Sequence, residues 1–133
     1  MNFKPAAGRL EASRVKSCYE AGYWLDEVAG DYLQKHAKER PDAIAVVDGN
    51  QRITWVELYK LCVRFALHLK QIGIEPGDVV ALQLPNWFEY IICYHGIQLA
   101  GGIIVQIGAD WGSAEMTYGF NTGPAKAAII PGA

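Results

Sequence analysis

Leu99-Ala-Gly-Gly-Ile-Ile-Val105 decides how this chain folds. Within seven residues an apolar helix stops and a buried strand begins. Glycine ends helices because it reaches the left-handed backbone region without a Cβ penalty. Ile103-Ile-Val105 is β-branched and fits a pleated surface. Upstream, Trp87 to Ala100 is apolar nearly all round, the pattern of a buried helix. Before it, Val79 to Leu84 is apolar apart from Gln83, the pattern of a strand covered on both faces. Downstream, the strand Ile103 to Ile107 leads into a loop, Gly108 to Gly112. Ser113 can cap a short helix to about Asn121, Gly123-Pro124 closes it, and Ala127 to Ile130 forms a third strand. Strand, helix, strand, helix, strand in this order predicts an α/β fold. Its strands are parallel and its crossovers right-handed.

The first half prepares this unit. Residues 1–22 show no clear period and are expected to form an N-terminal arm. The domain itself is expected over 23–133. Leu25, Val28, Tyr32, Leu33 and His36 recur at helical spacing, which predicts a helix over 24–39 that Pro41 stops. Ala43 to Val47 and Gln51 to Ile53 flank the turn signal Asp48-Gly49-Asn50, a hairpin. Then Thr54 and Glu57 form a capping box, with Ile53 and Leu58 in the staple positions. That helix is expected to reach Ile72, with Leu58, Leu61, Cys62, Phe65, Leu69 and Ile72 inward, before Gly73 ends it. Asn86 can cap the next helix, with Glu89 three residues later.

Composition narrows the function classes. At 133 residues the chain has the size of one domain. It is 51% hydrophobic and 20% charged, so it is not disordered. The apolar share suggests surface intended for another domain or subunit. A net charge of −2 with scattered basic residues predicts no nucleic-acid partner. No apolar run reaches the ~18 residues of a membrane span. Residues 1–14 lack the apolar core of a signal peptide. Cys18, Cys62 and Cys93 are odd in number and widely spaced, so neither disulfides nor structural zinc is expected. A reducing cytoplasm fits them best.

The chemistry-bearing residues give no catalytic constellation. Thr122-Gly-Pro-Ala-Lys126 holds the hydroxyl, glycine and cation that phosphate loops use, but the Walker spacing is absent. A helix end, a Gly-Pro turn and a strand start explain it without a ligand. His36, His68 and His95 fall on three different predicted helices, and none has a second ligand one helical turn away. Cys62 and Cys93 lie on apolar helix faces, as inert thiols do. Asp110 and Glu115 are lone carboxylates. Trp87, Phe88, Tyr90 and Tyr94 are expected in the core, and Trp24 and Trp111 near element ends. No catalytic, cofactor-binding or metal-binding residue is assigned.

The motifs nevertheless form a recognisable order. Pro41-Asp-Ala-Ile-Ala-Val-Val47 with Asp48-Gly49 comes first, then Ile53-Thr-Trp-Val-Glu-Leu58, Gly73 and Gly77-Asp-Val-Val-Ala81. Leu84-Pro-Asn86 with Glu89, Leu99 to Val105, Glu115 and Gly123 to Lys126 complete it. The set, over about residues 24–131, resembles the acyl-adenylate-forming superfamily, the acyl- and aryl-CoA ligases and adenylation domains. The Gln83 to Trp87 variant looks most like the CoA-ligase branch. Gln106-Ile-Gly108 departs from the proline usual after the second core motif.

The resemblance implies the start of the family's large N-terminal domain. It further implies an ATP-dependent acid–CoA ligase using ATP, magnesium and CoA on a carboxylic acid. The family's phosphate loop, metal-binding Glu, ribose-binding Asp and catalytic Lys would lie beyond residue 133. The chain alone is therefore expected to be inactive. Its partners would be the remainder of the ligase polypeptide, or further copies meeting through apolar faces. Two rivals stand beside this reading. One is a free-standing, non-catalytic α/β binding or assembly protein. The other is a small nucleotide-binding module built on Thr122 to Lys126.

Overall fold

A computed structural model describes residues 11–132, with Asn121 and Thr122 described for their backbone alone. The order is α1 (Ala12–Glu20), α2 (Ala29–Glu39), β1 (Ile44–Asp48), β2 (Gln51–Thr54), α3 (Trp55–Gln71) and β3 (Val79–Leu82). It continues with α4 (Phe88–Ala100), β4 (Ile103–Gln106), α5 (Ser113–Thr122) and β5 (Ala125–Ile129). β1 and β2 make an antiparallel hairpin, and β4-β3-β5 a parallel sheet with β3 in the middle. The α/β class and the β-α-β-α-β unit are as the sequence predicts. Two same-handed crossovers leave β3 and β4 in opposite directions, so α4 and α5 cover opposite faces. α4 packs on the Val80, Leu82, Ile104, Ala127 and Ile129 face. The end of α5 reaches the other, where a Cβ on Gly123 would meet Val105 Cγ2 at 3.2 Å.

The punctuation works as the residues predict. Thr54 Oγ1 accepts from the Glu57 N–H, and Glu57 Oε2 accepts from the Thr54 N–H at 2.9 Å. Ile53 and Leu58 share one buried cluster, which is the staple. At the other end Gly73 has φ +91°, and the Ile74 N–H reaches the Leu69 carbonyl at 2.9 Å. This is a Schellman stop whose apolar pair, Leu69 and Ile74, is buried, whereas Ile72, expected inward, is the C-cap and is exposed. Gly101 (φ +85°) and Gly102 end α4 the same way, with Gly102 N–H on the Ile97 carbonyl at 2.9 Å. Gly102 has a second reason to be glycine. A Cβ there would lie 2.8 Å from Ile97 Cγ2, where the turn passes against the helix.

The structure corrects four boundaries. Residues 12–20 form α1, stiffened by local bonds such as the exposed Lys16–Glu20 pair at 3.6 Å, although no residue of it is buried. Residues 1–10 of the expected arm lie outside the described residues. The helix expected from Trp24 begins at Ala29, because Asp31 Oδ2 accepts from the Val28 N–H at 2.9 Å and sets the start there. Leu25 and Val28 are consequently exposed, and of the predicted inner face only Leu33 is fully buried. Ser113 is the first residue of α5 and Gly112 its cap. Asn86 does not cap α4. Trp87 holds that position, half exposed and outside the core, and the capping oxygen comes from the hairpin: Asp48 Oδ2 accepts from the Phe88 N–H at 3.0 Å.

Two apolar clusters fill the interior. One joins β3 and α4 to the end of α3 through Leu69, Ile74, Val80, Leu82 and Ile97. The other joins α2, the hairpin and the α3–α4 seam through Leu33, Ile53, Leu58, Cys62 and Ile92. Gly96 lets α3 and α4 approach, since a Cβ on it would lie 2.5 Å from Phe65 Cδ1 and 3.2 Å from the Cys62 carbonyl oxygen.

Candidate functional site

In a parallel sheet, side chains and loops gather for ligands outside the carboxyl ends of the strands, where neighbouring crossovers diverge. Here that crevice lies at the ends of β3 and β5. Gln83 stands at its centre as the only buried polar side chain among the described residues. Its backbone N–H donates to the Ile129 carbonyl at 2.9 Å, which ties the ends of β3 and β5. Its side-chain Nε2 donates to the carbonyls of Gly108, at 3.0 Å, and Trp111, at 3.2 Å. One amide thus holds the loop after β4 against β3. A buried amide is stable only when its bonds are made, so Gln83 and the loop specify each other. A side chain at Gly108 would force the loop's own side chains to shift, because a Cβ would lie 2.7 Å from Trp111 Cδ1 and 2.8 Å from Asp110 Oδ1. The sequence carried one sign of this role: Gln83 is the lone polar residue in a covered strand.

Lys126 lies at the opposite edge. Its Nζ bonds Asp78 Oδ2 at 2.6 Å and the Gly73 carbonyl at 2.8 Å, beside the amino ends of β3 and β5. The Lys126 ammonium, with the Glu75 N–H at 2.7 Å, holds the Asp78 carboxyl below the usual carboxylate range. The hydrogen bond to Asp78 raises the Lys126 ammonium. The cation of the Thr122 to Lys126 stretch is engaged structurally, away from the crevice. The Thr122 side chain lies outside the described residues.

The remaining candidates are dispersed. His36 lies against Trp55 with ring planes tilted by 52° and centres 4.6 Å apart, and Arg40 covers the same indole at 5.1 Å. His68 is exposed on α3. His95 is half-buried, and burial pushes its imidazole down against a smaller opposing effect of Gln98. Among the described residues no three His, Cys, Asp or Glu side chains converge as a metal group. Cys62 and Cys93 are buried, and desolvation pushes their thiols up to about 12 and about 11, which keeps them protonated and inert at neutral pH. Phe88, Tyr90 and Tyr94 pack against the core, the two tyrosines stacked at 6.2 Å. Trp24 meets Tyr19 edge-on between α1 and α2, and Trp111 sits in the crevice loop. No helix among the described residues is long and apolar enough to cross a membrane.

Comparison with known proteins agrees with this geometry. A family model described as AMP-binding enzyme matches residues 33–132. The medium-chain fatty-acid–CoA ligase of Escherichia coli is 34% identical over 113 residues, 84% of this chain and 20% of that protein. The vibriobactin-specific 2,3-dihydroxybenzoate-AMP ligase of Vibrio cholerae is 32% identical over 114 residues, 86% of this chain and 21% of that protein. Among solved structures, Mycobacterium smegmatis MbtA superposes with a TM-score of 0.86 at 35% identity, covering 90% of this chain and 23% of that one. The N-terminal domain of FACL13 from Mycobacterium tuberculosis superposes at 0.73 with 28% identity, covering 76% and 26%. The chain spans about a fifth of the length of these two ligases.

Proposed function

Because the chain belongs to the AMP-binding enzyme family, we propose that it is the N-terminal scaffold portion of an ATP-dependent acid–CoA ligase. In that reaction a carboxylate oxygen attacks the α-phosphorus of ATP, forming an acyl-AMP and releasing pyrophosphate. The CoA thiol then attacks the acyl carbon, forming a thioester and releasing AMP. The relatives named as CoA ligases support the second step. The relative named as an AMP ligase favours a second reading, in which CoA is not the acceptor. Activation of the acid is common to both.

The observation that carries the proposal is the crevice at Gln83. It is built and tied, and a segment following β5 emerges beside it. The described residues do not themselves fit a magnesium–triphosphate group. Lys126 faces the other edge on Asp78, and no carboxylates converge. Charge building on a transferring phosphoryl group needs aimed donors and cations. We assign no catalytic step to this chain's side chains, and expect the 133 residues alone to be inactive. ATP–pyrophosphate exchange tests this directly. Purified chain should show background exchange with acid, ATP and magnesium, whereas a polypeptide extended through the phosphate loop and on past the metal-binding Glu, ribose-binding Asp and catalytic Lys should be active. Exchange above background from the 133 residues would overturn the scaffold reading. Inactivity of the extended polypeptide would favour the free-standing binding protein.

We place the domain over 23–133, in the cytoplasm, with the rest of the ligase as its main partner. The sheet face beneath α5 is only partly covered. Ile103 and Ile130 are 47% and 55% exposed. Apolar patches of this kind drive association. Sedimentation velocity over a concentration series should therefore show reversible self-association of the isolated chain, weakened by Ile103→Asp. A clean monomer throughout would remove self-association from the proposal.

A further inference from the structure

Away from the crevice, α3 and α4 enclose a surface groove of about 610 Å³. Its floor is apolar: Leu61 and Phe65 from α3, one turn apart, face Phe88 and Ile92 from α4, also one turn apart. A second hollow continues it past Leu61 and Phe88 to the hairpin. The rim is cationic. Lys60 and Arg64, one turn apart on α3, carry the charge, and the His68 imidazole continues the same stripe one turn further. At 1.5 Å per residue the stripe is about 12 Å long. Arg52 extends it beyond the helix, its Nη1 pinned by the carbonyls of Gly49 at 2.9 Å and Gln51 at 3.0 Å.

Neither Lys60 nor Arg64 forms a salt bridge among the described residues, although Lys60 attracts the Glu57 carboxylate one turn before it. The ion pairs among the described residues are Lys16–Glu20 and Lys126–Asp78, both elsewhere. Glu57, the one acid on the rim, turns its carboxylate to the Thr54 N–H and hydroxyl. A chain of net charge −2 thus presents a positive stripe beside a recessed apolar trough.

We propose that this groove docks an acidic amphipathic helix from a partner protein. A helix of two to three turns fits its length. Carboxylates at i and i+4 would meet Lys60 and Arg64, with one at i+8 beside His68, while the adjoining apolar stripe enters the trough. A second copy of this chain does not supply that pattern, because none of α1 to α5 carries acids at three such positions. A bilayer suits the site less well. Membrane-bound surfaces project their apolar residues, whereas Ile92 is buried and Phe65 and Phe88 half-buried here. The site shares no residue with the Gln83 crevice, so it does not depend on the catalytic reading.

The test uses the full chain and a fluorescein-labelled synthetic helix of ~15 residues. Glu stands at every fourth position on one stripe of that peptide and Leu on the next. Its control has Lys for each Glu. The acidic peptide should raise anisotropy saturably, the Lys peptide should not, and Arg64→Glu should weaken binding by about tenfold or more. Lys60→Glu repeats the reversal if circular dichroism shows Arg64→Glu to be misfolded. Both residues are exposed. Equal binding of the two peptides, or of neither, overturns the proposal. Capture by phosphatidylserine vesicles without peptide binding overturns it in favour of a membrane surface. Self-association abolished by Arg64→Glu, with no peptide binding, overturns it in favour of a second copy.

Discussion

Ile97→Ala should lower the unfolding free energy by about 2–5 kcal/mol. Ile97 is fully buried on α4, within the cluster that joins β3 to the end of α3. Truncation removes its transfer energy and leaves a cavity that the packed neighbours cannot close. The Gly101-Gly102 turn would lose its contact with Ile97 Cγ2 as well, while its backbone bond to the residue 97 carbonyl remains. The loss is a large share of the ~5–15 kcal/mol that holds an ordinary domain together. Urea unfolding followed by circular dichroism should therefore show a lower midpoint at an unchanged slope. A loss under ~1 kcal/mol would mean that α4 does not pack on β3 as described.

Gly96→Val carries the second large effect, and Gly96→Ala decides between two opposed forces. Helix propensity favours alanine over an interior glycine by ~1 kcal/mol. Packing opposes it, since the added Cβ would lie 2.5 Å from the Phe65 ring and 3.2 Å from both Phe65 Cβ and the Cys62 carbonyl oxygen. The ring could shift, but the backbone oxygen belongs to α3 and moves only with that helix. Overpacking costs about 1–3 kcal/mol. Gly96→Ala is accordingly expected to be neutral or destabilising, against its propensity. Gly96→Val, with two further methyls and no comparable propensity gain, should lose about 3 kcal/mol. Thermal melts of both variants check the order. A rise in melting temperature for Gly96→Ala would show that α3 and α4 sit further apart than described.

Much of the fold was legible because its signals are local. The Thr54–Glu57 box, the glycine stop at Gly73 and the Asp48 to Asn50 turn each act within a few residues, and each appears as read. The errors also have local causes. Leu25 and Val28 carried a helical period, but Asp31, three residues past Val28, set the helix start at Ala29. In α1 no residue is buried, so the apolar periodicity that marks a helix was absent. Trp87 counted as core from its apolar neighbours, yet it occupies a cap and points partly outward. The phosphate-like stretch ending at Lys126 reads from its residues as a helix end, a turn and a strand start. What the residues could not reveal was its partner, Asp78, 48 positions away.

By itself the sequence determined the class, the element order, the helix punctuation and the resemblance to adenylate-forming enzymes. All of these rest on periodicity, caps and turns that span a few residues. The tertiary structure alone decided which strand lies in the middle and which edge Lys126 occupies. It also decided that Asp48 caps a helix 40 residues on, and that Gln83 ties the crevice loop. Those outcomes depend on how distant segments meet. A buried amide or a free helix N–H must find a partner wherever the chain path brings one, and spacing along the chain does not record that path.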